Sequence, residues 1–258
     1  MIIATAMQKG GVGKTTTTLA LGSELARSGA SVLLIDLDPQ ASLTQGLGYD
    51  PTQIECSIYN VLLQPSEAEF ATLHPSNGLD VLPATLDLAG AELSFAGRFG
   101  RELLLREALE PLHGQYDYIL IDSPPSLGLF TVNALTAADV VLVPLQAHVF
   151  ALAAMDQLES TIRMIAKLNP KLHIGGILIT MVDRRTSVNA LIEQEARQRY
   201  GDLVFQATIP LNTKIVEAPA VGQSITVYAP DSMGAQAYRA LAEEVRERWP
   251  IQGGRHAT

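Results

Sequence analysis

The 258-residue chain contains one cysteine, Cys56. A single thiol excludes an intramolecular disulfide framework and any four-cysteine cluster supplied by one chain. No apolar run approaches the roughly 18 residues that a membrane-spanning helix requires. The N-terminus lacks the basic region and cleavage site of a secretory signal, so a cytoplasmic location is expected. Positive charge is scarce too: a formal net charge of −9 argues against a generally basic protein. The histidines (His74, His113, His148, His173, His256) show no metal-ligand spacing. Repeats, low-complexity linkers and composition breaks are absent, which predicts one domain over 1–251 and a flexible tail, Gln252–Thr258. Apolar residues are plentiful, and 47% hydrophobic against 17% charged suffices for one large α/β core.

The apolar residues fall in runs separated by helical patterns. Strands are predicted at Ile2–Met7, Ser31–Asp36, Leu79–Pro83, Tyr118–Asp122, Val140–Pro144 and Ile174–Val182. Helices are predicted around Thr15–Ser28, Arg101–Leu112, Leu129–Ala137, Leu152–Leu168 and Val188–Tyr200. Runs such as Val32-Leu33-Leu34-Ile35 and Val140-Val141-Leu142-Val143 are what a sheet buried on both faces demands. Strand–helix alternation with such runs predicts a doubly wound, mostly parallel sheet flanked by helices.

Between the first strand and first helix lies Lys9-Gly10-Gly11-Val12-Gly13-Lys14-Thr15-Thr16. Glycines there let the main chain curl around an anion without a Cβ in the way. Backbone N–H groups and the helix N-terminus then face phosphate oxygens. Lys14 would reach the β- and γ-phosphates and the Thr15 hydroxyl would ligate Mg²⁺. The strict phosphate-loop pattern fails in one place, because its first glycine would fall at Gln8. What remains is a variant loop with an extra lysine, Lys9. A lone Gly-Lys-Thr cluster is as often a plain turn into a helix, but here the flanking strand, helix and acids favour a nucleotide site.

Ligands of such sheets sit beyond the carboxyl ends of the strands, and three predicted strand ends carry acids. Alternation puts Asp36 and Asp38 of Asp36-Leu37-Asp38-Pro39-Gln40 on one side. Asp122, delivered by an apolar strand and followed by Ser123-Pro124-Pro125, has the form of an acid that holds Mg²⁺ through water. Asp183, at the end of Thr180-Met181-Val182, is a weaker candidate for lining the base pocket. Any one of these alone would more often be a cap or turn residue.

The loop Lys9–Thr16, the segment Asp36–Gln40 and the segment Asp122–Ser126 together resemble the ParA/MinD superfamily of deviant-Walker ATPases, closest to the small Soj-like ParA partition proteins. The likeness extends over almost the whole chain, through Leu82-Pro83-Ala84-Thr85, Asn133-Ala134-Leu135-Thr136, Val143-Pro144-Leu145-Gln146 and Glu217-Ala218-Pro219. It implies ATP and Mg²⁺ as ligands and slow hydrolysis that a partner stimulates. Lys9 would cross the interface of an ATP-sandwiched homodimer, a cation supplied in trans. Lys14 would hold phosphates in its own subunit, Thr16 the α-phosphate, and Asp38 the attacking water. Thr15 and Asp122 would hold Mg²⁺ with Asp36 in support, while Pro210 and Asn212 would line the adenine pocket. ATP rather than GTP rests on the resemblance alone.

The resemblance also implies non-specific DNA binding on the nucleoid, with a ParB-like or cargo-adaptor partner for a plasmid, a chromosome or an assembly such as a carboxysome. Charge is placed accordingly: Ser160–Val216 carries eight Lys/Arg against four Asp/Glu, +4 in a chain of −9, leaving the remainder at −13. Arg184, Arg185 and Lys214 are the candidate DNA contacts, and Leu211 replaces an arginine common in the family. A MinD-like membrane-cycling ATPase is the alternative and needs a basic amphipathic C-terminal helix. The last helix has an apolar stripe, Tyr238, Leu241, Ala242, Val245 and Trp249, but three arginines balance three glutamates from Arg239 to Arg248. It is therefore expected to pack on the domain, with no membrane contact. An electron carrier resembling the nitrogenase iron protein would need two cysteines per subunit and is excluded.

Overall fold

The predicted strands form in the computed structural model, which describes residues 1–75, 78–148 and 151–251; the predicted tail lies outside them. The strands are β1 (Ile2–Thr5), β2 (Val32–Asp36), β3 (Leu79–Leu82), β4 (Tyr118–Asp122), β5 (Val140–Gln146), β6 (His173–Val182) and β7 (Val204–Pro210). The helices are α1 (Lys14–Arg27), α2 (Ser42–Gly46), α3 (Ile58–Leu63), α4 (Ala68–Ala71), α5 (Leu88–Phe95), α6 (Leu104–Leu109), α7 (Leu129–Ala137), α8 (Ala151–Ile165), α9 (Ser187–Tyr200), α10 (Thr213–Ala220), α11 (Ile225–Tyr228) and α12 (Met233–Arg248).

Among the described residues the strands make one seven-stranded sheet in the order β3-β2-β4-β1-β5-β6-β7, and every ladder in it is parallel. The chain leaves β1 toward one edge and later crosses to the other, so the β1–α1 loop opens at the crevice where the order reverses. Successive strand residues serve opposite cores. Leu33, Ile35, Ile119 and Ile121 pack into one apolar cluster, while Val32, Leu34, Tyr118 and Leu120 pack into the other.

Strand β7 is not predicted from the sequence. It is an edge strand with half-exposed residues at Gln206–Thr208, so no continuous apolar run marks it. The predicted helix Arg101–Leu112 is broken into a 3₁₀ turn at 101–103, α6, and a second 3₁₀ turn at 110–112. Asn133 of α7 inserts at the break. Its Nδ2 donates to the Arg101 carbonyl at 2.8 Å, and its Oδ1 accepts from Leu105 N at 3.0 Å, so the two ends of one helical bond are satisfied by a side chain. Pro111 lies in the second turn and has no N–H to continue the helix.

Helix α1 approaches the sheet closely at Gly22, where a Cβ would lie 2.5 Å from Leu34 and 3.2 Å from Leu120. Helix α12 lies against α1 and β7. Its stripe is consumed in packing: Tyr238, Leu241, Ala242 and Val245 are buried, and Trp249 meets the Phe205 ring edge-on. Burial of Leu241 and burial of Val245 each stabilise the docked helix by about 1.5–3 kcal/mol. No described helix is long and apolar enough to cross a membrane.

Candidate functional site

The loop between β1 and α1 owes its shape to Gly11 and Gly13, at φ +71° and +92°. Gly13 is the N-cap of α1, and no side chain caps that end. The first amides of a 14-residue helix therefore face outward with their partial positive charge, ready for an anion. Val12 is buried, and its carbonyl accepts from the Thr180 hydroxyl of β6 at 2.9 Å, which fixes the loop to the sheet. Gly10 lies beside Pro125 of the segment that follows β4.

The two lysines are held differently. The Lys14 ammonium is buried and donates to the Lys9 carbonyl at 3.2 Å. Burial lowers its pKa, against the attraction of Asp122 and Asp38. The Lys9 ammonium donates to Gln146 Oε1 at 3.0 Å, at the end of β5 in the same subunit. Gln146 belongs to a segment the sequence marked, but no local signal predicted this pairing.

The acids lie under the loop because of strand register. Asp36 and Asp122 are direct partners across the β2–β4 ladder, and Thr5 of β1 is the partner of Asp122 on its other side. Both carboxylates are fully buried. Neither oxygen of Asp122 completes a hydrogen bond. Burial first, and then the Asp36 charge, push its pKa well above the usual carboxylate range, with the Thr15 hydroxyl and Lys14 ammonium opposing. A buried carboxylate with both oxygens unpaired, beneath a lysine and an uncapped helix end, has the chemistry of a hard-cation anchor.

Asp36 differs, because its oxygens are committed. Oδ1 accepts from Asp38 N at 3.1 Å, and Oδ2 accepts from Thr44 N at 2.9 Å and the Thr44 hydroxyl at 2.8 Å. Burial raises its pKa to about 6, with the Thr44 bonds pulling the other way. Asp36 thus anchors the 38–44 loop. Thr44 Oγ1 in turn accepts from Ala84 N at 3.0 Å, making a relay from β2 to the segment after β3. Thr44 escaped the sequence reading, since nothing local distinguishes it from a surface threonine. Asp38 is half-buried, and its Oδ1 accepts from Gln40 N at 3.0 Å.

Among the described residues two non-glycines have positive φ, Ala41 at 52° and Met181 at 55°. Both stand on this face, Ala41 in the loop after Asp38 and Met181 at the end of β6. Backbone strain of this kind costs about 1–3 kcal/mol and concentrates at functional sites. Met181 also lines a small apolar cavity with Gly13, Thr16, Thr180, Pro210, Leu211 and Asn212. Pro210 and Asn212 are thereby brought to the loop; the Asn212 Oδ1 caps α10 by accepting from Lys214 N at 2.8 Å.

Asp183 does not line that cavity. It borders a neighbouring one with Arg184 and Arg185. Arg185 Nε and Nη2 donate to its two oxygens at 2.9 and 2.8 Å, which holds its pKa down at about 2. Lys214 donates to Glu217 Oε2 at 2.7 Å and lies over the Tyr228 ring. Two of the three candidate DNA cations are thus paired within the chain, and all three are exposed. Leu211 is exposed among them. Ser123 is no nucleophile in this geometry, since its buried hydroxyl donates to the Thr5 carbonyl at 2.8 Å.

The chain is similar to known proteins over most of its length. The AAA_31 family model, an AAA domain, matches residues 1–174. The chain is 45% identical over 246 residues to the sporulation initiation inhibitor protein Soj of Bacillus subtilis, covering 95% of this chain and 97% of that one. It is 46% identical over 251 residues to the chromosome partitioning protein ParA of Caulobacter vibrioides, covering 96% and 94%. A solved structure of cobyrinic acid a,c-diamide synthase from Mycobacterium smegmatis, with bound ADP and magnesium, superposes with a TM-score of 0.85 at 40% identity, covering 96% and 94%. With a variant loop, buried strand-end acids and relatives at this level of identity over nearly its whole length, the chain belongs to the ParA/MinD superfamily of P-loop ATPases.

Proposed function

We propose that the protein is a Mg²⁺-dependent ATP-hydrolysing switch of the partition and positioning type. In its ATP form it is a homodimer that binds DNA without sequence preference, and a ParB-like or cargo-adaptor partner triggers hydrolysis. The observation that carries this reading is the uncapped N-terminus of α1 with Lys9 and Lys14, set above the unpaired buried carboxylate of Asp122.

The residues fit the ligands. Backbone amides of Gly10, Gly11, Val12 and Gly13, with Lys14, Thr15 and Thr16, would cradle the phosphates. Thr15 and Asp122 would hold Mg²⁺, with Asp36 keeping the neighbouring loop in place. Bound Mg²⁺ would neutralise charge on the transferring phosphoryl oxygens. The adenine base would lie against Pro210 and Asn212, which border a small apolar cavity beside Gly13 and Thr16. Asp38 would accept a hydrogen bond from the attacking water and orient it in line. Lys14 supplies positive charge in its own subunit. Lys9 would leave Gln146 and reach the phosphates of the partner subunit, where charge builds in the transition state.

DNA would meet the face of Arg184, Arg185 and Lys214. There, phosphates would replace Asp183 and Glu217 as partners of two of the cations, an exchange that salt weakens. Binding to random-sequence duplex DNA in ATP, in ADP and without nucleotide, across a salt series, tests the proposal. Tight, ATP-dependent and salt-sensitive binding supports it. Equal affinity in all three states removes the switch, and an Arg185→Ala plus Lys214→Ala variant with unchanged affinity removes this surface.

A further inference from the structure

Asparagine is a poor helix former, yet Asn189 stands in the first turn of α9. Its side-chain amide reaches out of the helix to two other segments. Nδ2 donates to the Ala147 carbonyl at 3.0 Å, and Oδ1 accepts from Asp183 N at 2.6 Å. These segments are the ends of β5 and β6. The ladder between the two strands runs to Gln146 and Thr180, and Ala147 N adds one more bond, to the Thr180 carbonyl at 3.1 Å. Just beyond, the chain of β6 bends at Met181, φ +55°, and the Asn189 amide takes over as a tie between the two ends.

Each end of this tie serves a residue of the site or of the cationic face. Ala147 follows Gln146, whose Oε1 holds the Lys9 ammonium at 3.0 Å. Asp183 opens the turn that carries Arg184 and Arg185, and its acceptors are committed within that turn. The carboxylate accepts from Arg185 N at 3.0 Å and from the Arg185 guanidinium. The carbonyl accepts from Thr186 N at 3.1 Å and from the Thr186 hydroxyl at 3.0 Å. The turn is thus closed on itself, and Asp183 N fastens it outward, to Asn189. A line of covalent and hydrogen bonds therefore runs from Lys9 through Gln146, Ala147, Asn189 and Asp183 to Arg185. Such a line transmits only if it contains an element with two arrangements that both ends bias. Lys9 supplies one, because Gln146 holds it in the empty chain and it leaves for the partner subunit in the ATP form proposed above. Gln146 then loses a charged donor. Hydrogen bonds weaken steeply with misalignment, so a shift of the adjoining Ala147 carbonyl carries the Asn189 amide and Asp183 N with it.

We propose that Asn189 is a positioning residue that couples the Lys9–Gln146 contact to the cationic turn 183–185. The inference rests on the ATP-switch and DNA-binding reading above. It makes the presentation of Arg184 and Arg185 to a phosphate backbone depend on which subunit holds Lys9, through a side chain outside the nucleotide site.

The test compares affinity for random-sequence duplex DNA with a non-hydrolysable ATP analogue and with ADP, each with Mg²⁺, in wild type and Asn189→Ala. Wild type should bind more tightly with the analogue. The ratio of the two affinities should fall at least about fivefold in the variant, the low end of ordinary coupling between sites, and a ratio within about twofold of wild type overturns the proposal. Nucleotide affinity and dimerisation by sedimentation velocity should match wild type. A variant that also loses dimerisation overturns it, because the effect then lies at the dimer and not in the turn. Asn189→Asp separates coupling from local support of the turn: it keeps an acceptor for Asp183 N but cannot donate to the Ala147 carbonyl. It should lose the ratio as Asn189→Ala does, and a retained ratio confines Asn189 to the turn and overturns the coupling. Hydrogen exchange on wild type without DNA is a check independent of any variant's folding. Amides of 181–186 should differ in protection between the ATP analogue and ADP, and identical protection overturns the proposal. Wild type with equal DNA affinity in both states overturns the switch reading itself, a separate outcome.

Discussion

Replacing Thr44 by valine keeps the volume and removes one hydroxyl, and the structure says what that hydroxyl holds. It donates to Asp36 at 2.8 Å and accepts from Ala84 N at 3.0 Å, all within a fully buried environment. Loss of a hydrogen bond to a charged group costs about 1.5–3 kcal/mol, and a buried amide left without an acceptor costs about 1–3 kcal/mol. The expected destabilisation of nucleotide-free protein is therefore about 2.5–6 kcal/mol, a large share of a typical domain's stability. Thr44→Ser keeps the hydroxyl and loses a methyl group, so it should cost only about 1 kcal/mol. Urea denaturation of the three proteins reads both values directly. A valine variant within about 0.5 kcal/mol of wild type, or a serine variant as damaged as valine, would refute the relay; the ~0.5 limit is the range of unremarkable surface changes.

The pH dependence of the empty protein has a definite sign. Asp36 titrates at about 6 when folded against an ordinary 3.8. The folded state therefore holds the proton more tightly, and this stabilisation, present at low pH, is lost as pH rises through about 6. It amounts to about 3 kcal/mol between pH 4 and 7; Asp36→Asn should flatten that segment of the stability profile measured with a chelator, and an unchanged slope counts against it. Gly222, at φ +68°, would place a Cβ 2.6 Å from the Gly48 Cα, so Gly222→Ala should cost about 2–4 kcal/mol by thermal or urea melts. A shift under about 0.5 kcal/mol would mean that the α2 and α10 ends can separate freely. Lys14→Ala should abolish nucleotide binding by calorimetry, whereas Lys9→Ala should bind nucleotide and stay monomeric; loss of binding in both would give Lys9 a role in cis. Asp38→Ala should trap the ATP dimer, and a dimer that dissociates as fast as wild type would remove its role with water.

The residues legible in sequence were those whose signal is local. A glycine loop between strand and helix, and acids at the ends of fully apolar strands, are local patterns, and Asp36 and Asp122 prove to be register partners. Central strands buried on both faces announced themselves as apolar runs. Strand β7, exposed along one side, did not, because its signal mixes with that of a loop. Contacts that join distant segments were likewise invisible: Thr44 with Ala84, Thr180 with Val12, and Lys9 with Gln146 lie 40, 168 and 137 positions apart. Helix α5 was missed for the opposite reason, since apolar residues on both sides erase the periodicity that marks a half-buried helix.

The unpaired carboxylate of Asp122 has a thermodynamic corollary. Removing that group from water is a cost of folding that the Thr15 hydroxyl and the Lys14 ammonium offset only in part in the empty protein. A bound ion and nucleotide would recover it, so ligand occupancy and resistance to unfolding become one variable. A hundredfold excess over the dissociation constant would add about 2.7 kcal/mol. Within a cell the nucleotide-free form would then be the first to unfold and to meet proteases, and the abundance of the protein would track the supply of its ligand.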